Sequence, residues 1–65
     1  MVNLDYGKIR ELMSGHGMSK RDLAYRLGVS EGLLKAILDR GTAKPDFARR
    51  ISEALSVSIV EITCA

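Results

Sequence analysis

Ser19-Lys20-Arg21-Asp22-Leu23-Ala24-Tyr25-Arg26-Leu27-Gly28-Val29-Ser30-Glu31-Gly32-Leu33-Leu34-Lys35-Ala36-Ile37-Leu38 is the stretch that decides the fold. Leu23, Ala24 and Leu27 recur at i, i+1 and i+4, the apolar face of one helix, and Leu34 and Ile37, three apart, mark a second. Ser19 is a strong N-cap residue, with Asp22 at the capping-box position three residues on. Gly28 can take the left-handed conformation that ends the first helix without a steric penalty, and Ser30 can cap the second. Ala24 is small where a second helix, crossing steeply, must come close. A helix, a sharp glycine turn and another helix make a helix-turn-helix unit.

These residues carry a resemblance. Lys20, Leu23-Ala24, Gly28-Val29-Ser30 and the Leu34/Ile37 pair match the helix-turn-helix of the phage repressor and Cro-type (Xre-like) family of DNA-binding domains. The likeness continues through Lys44-Pro45, a helix ending in Ala54-Leu55, and Val57-Ser58 before a last short helix, so it covers nearly the whole chain. It implies an all-α, five-helix, lambda-repressor-like fold over residues 1–65 as a single domain, with the helix-turn-helix at helices 2 and 3.

Composition agrees with a small globular domain. With 46% hydrophobic and 28% charged residues, the chain has enough apolar side chains for a core. Tyr6, Tyr25 and Phe47 are the only aromatics, so that core must be aliphatic. One cysteine, Cys64, excludes an internal disulfide framework and a cysteine-based zinc site within one chain. No apolar run approaches the roughly 18 residues of a membrane span, and the N-terminus carries no signal-peptide core. The expectation is a cytoplasmic domain with no metal, cofactor or small-molecule ligand.

Net charge is +2, but its distribution is uneven. Lys20 to Lys44 holds six bases (Lys20, Arg21, Arg26, Lys35, Arg40, Lys44) and three acids (Asp22, Glu31, Asp39), an excess of three positive charges. The remainder holds four bases and five acids, an excess of one negative charge. The positive excess coincides with the two-helix unit and the loop after it, as a polyanion partner requires.

In chain order, the first helix is placed from about Asp5, its N-cap, to His16, with Ile9, Leu12 and Met13 as its stripe and Tyr6 one turn earlier. Gly15 and Gly17 weaken and stop it, and His16, the single histidine, reads as a structural surface residue. Met18 fits a hydrophobic staple under the next helix. That helix runs from about Lys20 to Leu27, and the second of the pair from about Glu31 to Asp39. Arg40 to Pro45 reads as a loop, followed by a helix from Pro45 to Leu55. Pro45 suits its first position, Phe47, Ala48, Ile51, Ala54 and Leu55 form its buried stripe, and Arg49 and Arg50 point outward. Ser58-Ile59-Val60-Glu61 matches a capping box and predicts a fifth, short helix near Ile59.

The resemblance also assigns roles. Ser19, Lys20 and Arg21 lie at the opening of helix 2, where the family touches the DNA backbone, and Arg40, Thr42 and Lys44 are spaced to touch phosphates beside the groove. Ser30, Glu31, Gly32, Leu33, Lys35 and Ala36 are the outward positions at the start of the reading helix. Glu31 can accept from cytosine N4, Lys35 can reach guanine, and Leu33 and Ala36 can pack on thymine methyls. Here the chain departs from the polar set usual in the family. Leu38, where the family often has Glu, reads as core or partner-facing. Val57, Ile59, Val60 and Ile62 exceed what one short helix can bury, so two or so pack inward and the rest are exposed; with Cys64 near the two-fold axis, they give the homodimer interface that the resemblance implies. The expected function is sequence-specific double-stranded DNA binding by a dimeric transcriptional regulator, a repressor. The alternative is a helical protein-interaction module, antirepressor or antitoxin-like, that keeps the fold without base reading. An enzyme is not expected, since no nucleophile has a base partner and no phosphate loop is present.

Overall fold

The computed structural model describes residues 1–64. In chain order the elements are β1 (Val2–Leu4), α1 (Tyr6–Gly15), α2 (Lys20–Leu27), α3 (Glu31–Arg40), β2 (Thr42–Ala43), α4 (Pro45–Ala54), a single 3₁₀ turn (Ile59–Glu61) and β3 (Thr63–Cys64).

Local chemistry sets the helix ends. The Asp5 carboxylate accepts from the Lys8 N–H at 3.1 Å and opens α1. Ser19 and Asp22 complete a reciprocal capping box, Ser19 Oγ accepting from the Asp22 N–H at 3.2 Å and Asp22 Oδ2 from the Ser19 N–H at 3.1 Å. Gly28 then closes α2 at φ +73°. The Val29 N–H reaches back to the Ala24 carbonyl at 3.0 Å and the Gly28 N–H to that of Tyr25 at 3.2 Å. These are the paired bonds of a Schellman closure, which only a left-handed residue permits. Ser30 Oγ accepts from the Leu33 N–H at 3.1 Å to start α3, which ends at left-handed Gly41, and Pro45 opens α4.

The helices bury aliphatic stripes against one another. Ile9, Leu23, Leu27, Leu34, Leu38, Ile51, Leu55 and Ile62 are the largest fully buried side chains. Leu38 therefore belongs to the core and is not partner-facing. Met18, Phe47 and Ala54 are half-buried at its margin. His16 caps α1, and its Nε2 donates to the Leu55 carbonyl at 2.9 Å, tying the end of α1 to the end of α4.

The expectation of an all-α, five-helix fold is overturned. Four helices are joined by a three-stranded antiparallel sheet of order β2-β1-β3. Val2 pairs with Ala43 and Asn3 with Thr42 on one side of β1; Asn3 pairs with Cys64 and Leu4 with Thr63 on the other. Thr42-Ala43, read as loop, is thus a strand. The fifth helix does not form. Ser58 makes no side-chain cap bond, and the segment closes one 3₁₀ turn. Ile59, Val60, Ile62 and Thr63 are β-branched and lose rotamer freedom in a helix, so extended pairing competes well. The Ile62 carbonyl accepts from the Asp5 N–H at 2.8 Å, which draws the chain toward β1.

Candidate nucleic-acid interface

The α2–turn–α3 unit presents a continuous outer surface. Ser19 and Arg21 are exposed at the start of α2, with Lys20 half-buried between them. Ser30, the N-cap of α3, and Glu31, Gly32, Leu33, Lys35 and Ala36 on it are all exposed. Leu34 and Leu38 face inward and Ile37 is half-buried, so the inner stripe fixes which side of α3 faces out. Leu33 is 49% exposed. A side chain added at Gly32 would meet no atom within 4 Å. The outer face of α3 is therefore free to enter a groove, and Gly32 lets its backbone approach closely.

The hydroxyls of Ser19 and Ser30 accept from helix N–H groups, and their own protons remain available to donate. Lys44 is exposed at the N-cap of α4. Arg40 is exposed, but its Nε and Nη2 fold back onto the Thr42 carbonyl at 3.4 and 3.2 Å. Thr42 is half-buried in β2. The connection between α3 and α4 is thus held in place by the sheet, with exposed Arg40 and Lys44 before and after β2.

Lys20 has a neighbour that the sequence pattern does not reveal. Its Nζ lies 5.3 Å from the centre of the Tyr6 ring, and the Arg10 guanidinium lies 5.9 Å from the same ring. The Tyr6 hydroxyl, as acceptor beside it, raises the Lys20 ammonium above its ordinary lysine value; Asp39 adds to this. The hydrogen bond at the Ser19 backbone N–H, then the Ser19 hydroxyl, hold the Asp22 carboxyl below its ordinary value. Tyr6 and Arg10 stand at i and i+4 on one face of α1. Their meeting with Lys20 depends on how α1 packs on α2.

The residues expected at a dimer interface divide. Ile62 is fully buried in the monomer core and offers nothing to a partner, because the chain turns it inward as it enters β3. Val57 and Ile59 are half-buried, while Val60, at 72% exposure, and Cys64, a free thiol, are exposed. Among the described residues, β3 pairs on one side only.

No cluster of three or more metal-ligating side chains occurs among the described residues, and none of their helices is long and apolar enough to cross a membrane. No family model, no curated protein and no solved structure matches the chain.

Proposed function

We propose that this chain is a sequence-specific double-stranded DNA-binding protein of the phage repressor and Cro type, a non-enzymatic cytoplasmic regulator that represses transcription by occupying its site. The observation that carries the reading is the uncovered outer face of α3, oriented by the Gly28 turn and flanked by Lys20, Arg21, Arg40 and Lys44. A major groove admits one such helix, with its first turns at the base edges. Glu31 and Lys35 supply polar contacts there, Leu33 and Ala36 apolar contacts to thymine methyls, and the flanking bases hold phosphates. The protein acts as a homodimer through the exposed part of its C-terminal segment, Val60 and the outer edge of β3, on half-sites about 34–36 Å apart.

A titration of a labelled mixed-sequence 20-base-pair duplex at 50 and 200 mM salt tests the electrostatic half of this reading. Four phosphate contacts predict affinity about 100-fold weaker at the higher salt. No saturable binding at 50 mM would sink the proposal.

One observation favours a second reading. Leu33 stands half-exposed where a polar base-reading side chain is usual, as an interaction module of antirepressor or antitoxin type would have it. Leu38, which on sequence also pointed that way, lies in the core and lends it nothing. Salt-insensitive capture of a protein, with no DNA affinity, is the result that would favour this module.

A further inference from the structure

We propose that Arg10, Tyr6 and Lys20 form a second phosphate-gripping station, in which the Tyr6 ring gathers both cations and extends the DNA-backbone contact from α2 onto α1. This rests on the DNA-binding reading above and adds to it a residue, Arg10, from outside the helix-turn-helix.

Two positive groups converge on one ring, at 5.9 Å and 5.3 Å from its centre. Cations so placed are attracted by the ring's electron-rich face, which offsets their mutual repulsion. Arg10 is exposed, and Lys20 and Tyr6 are half-buried, so the ring is anchored while the charges reach outward. Lys20 is the first residue of α2, beside N–H groups whose dipole already favours an anion. Asp39 is the acid that acts on Lys20, and it offsets one of the two positive charges. The pair thus keeps its net positive charge. A point charge and a guanidinium fork gathered on one aromatic ring suit two phosphates of a nucleic-acid backbone, one each. Tyr6 is a positioning residue in this scheme, while Arg10 and Lys20 touch the anion.

The test uses the intact chain and the mixed-sequence duplex, where phosphate contacts dominate. The slope of log affinity against log salt is measured for wild type, Arg10→Gln, Lys20→Gln and Lys8→Gln. Lys8 lies two residues from both Tyr6 and Arg10, on the opposite side of α1, and serves as control. Arg10→Gln and Lys20→Gln are each expected to reduce the slope by about 0.9, one phosphate contact apiece, and Lys8→Gln to leave it unchanged. Tyr6→Leu should weaken binding several-fold in the wild-type background but not in Arg10→Gln/Lys20→Gln, and Tyr6→Phe, which keeps the ring, should restore most of the loss. Should Tyr6→Leu fail to fold, the exposed Arg10→Gln alone decides. If wild type binds with a steep salt slope and Arg10→Gln leaves that slope unchanged, this station is refuted while the DNA-binding reading stands. If wild type shows no salt-dependent duplex binding, both fall.

Discussion

Arg50 on α4 donates from its guanidinium Nη2 to the carbonyl oxygen of Leu27, the last residue of α2. The last carbonyls of a helix have no partner within it, and left-handed Gly28 carries the chain away from this one. A cation there also meets the negative end of the helix dipole. Arg50, which by sequence pointed into solvent, therefore clamps the turn that aims α3. Arg50→Ala should cost about 1–2 kcal/mol of stability, discounted for partial exposure, or very roughly 5–10 °C in melting temperature. A melt unchanged from wild type would show the clamp to be idle.

Gly32 separates stability from function. Its site is helical and open, so Gly32→Ala should raise stability by about 0.5–1 kcal/mol. If α3 packs closely on DNA at this point, the added methyl should weaken duplex binding at the same time. A more stable variant with undiminished affinity would mean that α3 does not approach DNA along this face.

The capping box gives a pH dependence. Asp22 has its pKa lowered from 3.8 in the folded chain, by its bonds to Ser19. A depressed folded pKa means stabilisation that is complete above the unfolded value and lost as pH falls through the folded one. Asp22→Asn should therefore be less stable than wild type at pH 7, with the gap closing as the medium is acidified below about pH 4. Denaturant melts at pH 7 and pH 3 check this; a constant gap would place the effect elsewhere. Ser19→Ala should cost about 1 kcal/mol at pH 7.

Phosphate holders and base readers should behave differently. Lys44→Ala is expected to weaken binding to every sequence alike and to reduce the salt slope by about one unit. Lys35→Ala and Glu31→Ala should instead change which sequence is preferred. Lys35→Ala without effect on affinity or preference would remove α3 from the role of reading helix.

What the sequence made legible was local. Asp5, Ser19, Gly28, Ser30 and Pro45 mark ends of the four helices because each acts on backbone groups within a turn of itself. The outward positions of α3 came from the family resemblance, and the buried Leu34 and Leu38 agree with them. The sheet was not legible, because its strands are two or three residues long and no period can register in them. The missing fifth helix and the inward turn of Ile62 share that cause, since both depend on β3 finding β1. Arg50 on Leu27, His16 on Leu55 and Lys20 on Tyr6 are contacts between elements distant in sequence, set by packing and not by spacing.

Selection of the chain's targets from a randomised duplex pool, sequenced after enrichment at two salt concentrations, tests the central claim most directly. One enriched palindrome is expected, with half-sites about 10 base pairs apart and affinity that falls steeply with salt. Weak binding with no enriched sequence would contradict it, leaving a basic patch on a fold that does not read DNA.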